Sequence, residues 1–111
     1  MLVEDRKAAV AAWKERKSAP GIYVVRCTAS GESWVGRAPD LATMQTRLWF
    51  TLRMGSNPHR ALQAAWRLYG GEHFSFKEVE RLEDDLSPGL MQARLRTRLD
   101  HWAEQLGAAK I

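Results

Sequence analysis

The hydrophobic and polar positions change period several times along the chain, and each change marks an element. Between residues 2 and 17, Val3, Val10 and Trp13 fall on one stripe with Arg6 and Ala9, and alanines fill much of the rest. That spacing predicts a helix, which Ser18-Ala19-Pro20-Gly21 ends. Residues 21–28, Gly-Ile-Tyr-Val-Val-Arg-Cys-Thr, are β-branched and aromatic and predict a strand. Residues 33–37, Ser-Trp-Val-Gly-Arg, predict a second, with Ser30-Gly31 as the turn of a hairpin. A two-residue turn sets Cys27 opposite Trp34 and Val25 opposite Gly36. Alternation then puts Tyr23, Val25, Cys27, Trp34 and Gly36 on one face, and Ile22, Val24, Val35 and Arg37 on the other.

The period then lengthens. Leu41, Met44, Leu48, Trp49 and Leu52 form an apolar stripe that predicts a helix over 41–54, capped by Asp40 and stopped by Gly55. Arg47 and Arg53 lie on its flanks, and Phe50 points away from the stripe. A second helix is predicted over 58–69, with Asn57 as cap, Pro58 in the first turn and Gly70-Gly71 as the stop. Its core face is Ala61, Leu62, Ala65, Trp66 and Tyr69. Residues 73–82 read as a third strand, Glu83-Asp84-Asp85 with Ser87-Pro88-Gly89 as a loop, and 90–106 as a last helix. The apolar positions of that helix are Leu90, Leu95, Leu99, Trp102 and Leu106. The expected architecture is α+β: a small three-stranded antiparallel sheet flanked by helices, with an N-terminal helix. It divides into an N-terminal extension (1–19), a domain (20–106) and a short tail (107–111).

Composition narrows this. The chain has 111 residues, enough for one domain, and 45% of them are hydrophobic, enough for a compact core. No apolar run is long enough to span a bilayer, and the charged start (Glu4, Asp5, Arg6, Lys7) lacks a signal core. Cys27 is the single cysteine, which rules out an internal disulfide framework and a four-cysteine zinc site. A cytoplasmic location, away from membranes, is expected. The net charge is +4, concentrated in residues 36–71, where Arg37, Arg47, Arg53, Arg60 and Arg67 face Asp40 alone. Arginine forks suit phosphate, so this segment is a candidate polyanion-binding face.

Gly21-Ile22-Tyr23, followed eleven residues after its tyrosine by Trp34-Val35-Gly36, resembles the two half-motifs of the GIY-YIG nuclease family. The stretch from Trp66 to Phe76, with its Tyr69-Gly70 turn and aromatic strand, is similar to the family's helix and third strand. The resemblance covers roughly residues 20–106. It implies a metal-dependent DNA endonuclease that hydrolyses phosphodiesters, structure- or single-strand-directed, with Mg2+ or Mn2+ as cofactor and a setting in DNA repair or recombination. It also leaves open a degenerate member that binds nucleic acid without cutting it.

The resemblance assigns roles to residues. Tyr23 activates or positions a water. Trp34 stands where the family has tyrosine; it has no hydroxyl, and stacks or fills core. Gly36 lets a phosphate backbone approach. The family's phosphate-binding arginine would fall at Met44, eight residues past Gly36, and Arg47, one turn further, takes that role. His59 touches phosphate or relays a proton. Arg37, Phe50, Arg53 and Arg60 contact nucleic acid, Phe50 by stacking on an unpaired base. The family's metal-binding glutamate would fall three residues before Trp102, at Leu99. Asp100 and Glu80 are therefore the candidate metal ligands.

Overall fold

The structure, a computed structural model, describes residues 19–82 and 87–111. The helix expected over 2–17 and the Glu83-Asp84-Asp85 loop lie outside the described residues.

The hairpin forms from β1 (Gly21–Cys27) and β2 (Ser33–Ala38). Its register differs from the expected one by two residues: Tyr23 lies opposite Gly36 and Val25 opposite Trp34. The cause is the loop. Cys27 N–H donates to Glu32 O at 2.9 Å and Gly31 N–H to Cys27 O at 2.8 Å, so the strands close at Cys27 and Glu32 rather than around Ser30-Gly31. A shift of two preserves side-chain alternation, so both faces keep their residues.

β3 (Phe74–Arg81) pairs antiparallel with the other edge of β1. The register slips between Ile22 and Tyr23, so Tyr23 faces Glu78 while Ile22 faces Glu80. A bulge of this kind re-aims the side chains on either side of it. Beyond the expected three strands, a fourth, β4 (Ala109–Lys110), adds parallel to β2, and the mixed sheet runs β3-β1-β2-β4.

Helices cover both faces. α1 (Leu41–Met54) and α2 (Arg60–Tyr69) close over Tyr23, Val25, Cys27 and Trp34, burying Leu41, Leu48, Leu52, Leu62 and Ala65. α3 (Pro88–Leu106) covers Ile22 and Val35 with Met91, Leu95 and Leu99. Leu90 and Leu106, expected on its apolar face, are exposed at the helix ends, and Ala61 of α2 is exposed too.

Asp40 caps α1, its Oδ1 accepting from Ala42 N–H at 3.0 Å. Gly55 ends that helix in the left-handed region, at φ 74°. The α2 cap is His59 rather than Asn57: His59 Nδ1 accepts from Leu62 N–H at 3.3 Å, and Asn57 Oδ1 accepts from His59 N–H at 2.9 Å. No helix among the described residues is long and apolar enough to cross a membrane.

Candidate functional site

A cleft of about 270 Å³ opens where β1, α1 and the α1–α2 loop meet. Tyr23, Arg47 and His59 all line it, with Thr51, Asn57 and Ile111 among the other walls. Three separate elements thus bring together three residues that are far apart in sequence.

Tyr23 is fixed from both sides. Its ring stacks on Phe76, with centroids 5.0 Å apart and planes inclined by 17°. On its other flank is Gly36, where an added Cβ would stand 2.5 Å from the ring's Cζ. The missing side chain therefore makes room for the phenol, a use of glycine set by close approach and not by backbone conformation. Burial pushes the Tyr23 hydroxyl up to about 12, so the phenol stays protonated at neutral pH.

Arg47 is exposed on the α1 flank that borders the cleft. No carboxylate among the described residues pairs with it. His59 is held by its cap. Because Nδ1 accepts from Leu62 N–H, the neutral ring carries its proton on Nε2, and that nitrogen is left for a ligand.

The loop that delivers His59 is pinned by Gln63 and Thr51, which the sequence pattern did not single out, acting on Asn57. Gln63 is buried; its Nε2 donates to Leu52 O at 3.0 Å and its Oε1 accepts from Asn57 N–H at 3.1 Å. Asn57 Nδ2 donates to Thr51 Oγ1 at 3.0 Å. One amide thus ties the end of α1 to the loop before α2. The available signal was a glutamine beside Leu62 on a helix whose inward positions are otherwise apolar.

Other expected site residues lie elsewhere. Trp34 is only 2% exposed and stacks on Phe74 with centroids 6.2 Å apart, a core position that does not line the cleft. Arg37 is exposed and pairs with Ile22 across the hairpin, on the α3 side of the sheet. Phe50, Arg53 and Arg60 are exposed on α1 and α2.

The two carboxylates expected to hold metal are not brought to the cleft. The bulge turns Glu80 to the α3 face, where its Oε1 accepts from Arg98 Nε and Trp102 Nε1, both at 2.7 Å. Burial raises the Glu80 carboxyl, but the Trp102 and Arg98 hydrogen bonds outweigh it and hold the group below its usual range. Asp100 is exposed and accepts from Lys110 Nζ at 2.8 Å. Leu99 is buried in the α3 core. Among the described residues no cluster of three histidine, cysteine or acidic side chains could hold a metal, and no carboxylate side chain lines the cleft.

Two solved structures share this arrangement of strands and helices. The catalytic domain of homing endonuclease I-TevI superposes with a TM-score of 0.68 at 22% identity, over 83% of this chain and 97% of that one. A glutamate-to-alanine mutant of the intron endonuclease I-TevI catalytic domain gives 0.68 at 21% identity, over 80% and 84%. The chain has the fold of a GIY-YIG catalytic domain. No family model matches the chain, and no curated protein does. Within the GIY-YIG fold, the Tyr23 cleft lies between the hairpin carrying both half-motifs and the first helix after them.

Proposed function

We propose that the chain is a DNA endonuclease that binds a phosphodiester in the Tyr23 cleft and hydrolyses it. The observation that carries this reading is the convergence of Tyr23, Arg47 and His59 on one cleft in a fold shared with an endonuclease catalytic domain.

Each residue has a role its geometry permits. The Arg47 fork holds the phosphate and stabilises the charge that builds as water attacks phosphorus. Tyr23, protonated at neutral pH, orients the attacking water through its hydroxyl and does not act as a phenolate base. His59, with its proton on Nε2, donates a hydrogen bond from that nitrogen to a phosphate oxygen and keeps the proton; solvent takes the proton of the attacking water and returns one to the departing oxygen as the phosphorus–oxygen bond breaks. A bound Mg2+ or Mn2+ would supply further charge stabilisation, using oxygen ligands. The described cleft side chains do not fit such an ion, since none of them is a carboxylate, and no step here depends on one.

The substrate in this reading is single-stranded or structured DNA, because phosphate contacts position a nucleic acid without reading its sequence. A second reading is favoured by the buried Leu99 and the absence of a carboxylate side chain among the described cleft residues: a module that binds DNA without cutting it.

End-labelled single-stranded and duplex DNA, incubated with magnesium, with manganese or with chelator, separates the two. Cleavage lost in Tyr23→Phe and Arg47→Ala supports the endonuclease. Salt-sensitive binding without cleavage supports the second reading. Cleavage that persists in both variants contradicts the site.

A further inference from the structure

Two of the most exposed large apolar side chains among the described residues lie side by side. Phe50 is 58% exposed and Met54 66%, and they are four residues apart on α1. Residues spaced three and four apart share a helix face. Arg47, Phe50 and Met54 therefore form one stripe, running from the cleft rim toward the C-terminal end of α1. Arg47 lies about 4.5 Å of helix rise before Phe50.

We propose that Phe50 and Met54 form a stacking platform for an unpaired nucleobase beside the phosphate held by Arg47. This rests on the phosphodiester reading of the cleft and adds the feature that selects its substrate. An aromatic ring offers a flat face, and in a duplex the matching base faces are already stacked on one another. A base free of its stack gains by covering Phe50, and Met54 closes the edge of the platform with a polarisable thioether. The surroundings suit a polyanion: Arg47 and Arg53 flank the ring, and no described carboxylate pairs with either. The platform thus favours single-stranded or locally unpaired DNA over a plain duplex, without sequence preference.

The test is fluorescence anisotropy with a labelled single-stranded oligonucleotide, its duplex, and a set of single strands each with one abasic position. In Phe50→Ala, single-strand affinity is expected to fall about ten-fold while duplex affinity and the salt slope hold, because no charge is removed. Phe50→Trp restores the affinity. One abasic position weakens the parent protein and leaves Phe50→Ala unaffected, the coupling expected of two partners in contact. Equal losses on single strand and duplex would overturn the platform, as would no loss at all. So would loss of concentration-dependent self-association with unchanged DNA affinity, which would make the patch a contact between copies. Arg47→Ala separates the two levels. If it weakens DNA binding while Phe50→Ala does not, the platform alone fails. If neither variant affects binding, the phosphodiester reading fails with it.

Discussion

The ring of Tyr23 occupies the space that a side chain at Gly36 would need, with its Cζ 2.5 Å from where that Cβ would stand. The two residues face each other across the hairpin, so the second half-motif shapes the position of the first. Gly36→Ala is expected to displace the phenol and destabilise the fold by about 1–3 kcal/mol, the usual range for overpacking. In a Tyr23→Ala background the same change finds room and costs less than about 0.5 kcal/mol. A double-mutant cycle by urea denaturation measures the difference, and additive effects would disprove the contact.

Tyr23 also predicts an alkaline limit. Its pKa is raised from 10.0 to about 12 by burial, so the folded state keeps a proton that the unfolded chain releases. The unfolded chain binds fewer protons between these values, so stability falls as pH rises. The contribution is complete below pH 10.0 and lost as pH climbs through about 12. The loss attributable to this group is about 3 kcal/mol. Tyr23→Phe should flatten that part of the stability profile relative to the parent protein, and unchanged curvature would refute the assignment.

Glu80 is expected to act as a strut, not as a metal ligand. Its Oε1 ties β3 to Arg98 and Trp102 of α3. Glu80→Ala should cost about 1.5–3 kcal/mol, as for hydrogen bonds to a charged group, and leave DNA binding unchanged. With the carboxyl held below its usual range, its contribution is present above the ordinary glutamate pKa and lost as pH falls through the folded value. Thermal melts across the acid range test this. Loss of DNA binding or cleavage in a variant of normal stability would return Glu80 to the active site.

Gln63 should matter to His59 without touching a substrate. Gln63→Ala leaves Asn57 N–H without its partner and takes from Leu52 O one of two donors, the other being Gly55 N–H, at a cost of about 1–3 kcal/mol. The α1–α2 loop then loosens. Faster amide exchange at Gly55, Ser56, Asn57 and His59, with α3 unaffected, is the expected signature. Uniform loss of protection over the domain would show a global effect instead.

The hairpin faces were legible because strand alternation survives an even shift of register, and Tyr23 and Gly36 stay on one face under either pairing. Their direct opposition was not legible, since it depends on where the loop closes. The choice of Arg47 came from the family resemblance, one turn past Met44; the α1 stripe placed it only on a flank of the helix, and the structure sets it on the cleft that Tyr23 lines. The placement of Glu80 did not, because one extra residue in β3 reverses its face and a bulge has no strong local signal. β4 is two residues long and carries no period to read. The Gln63–Asn57 tie is a long-range polar contact, invisible to hydrophobic patterning.

The proposed roles at the Tyr23 cleft all depend on a phosphate held by Arg47. The most direct measurement is the salt dependence of single-stranded DNA binding by the parent protein and Arg47→Ala. Loss of one phosphate contact should weaken binding and reduce the log–log slope by about 0.7, the value for one contact on a single strand. An Arg47→Ala protein with the parent's affinity and slope would contradict the account.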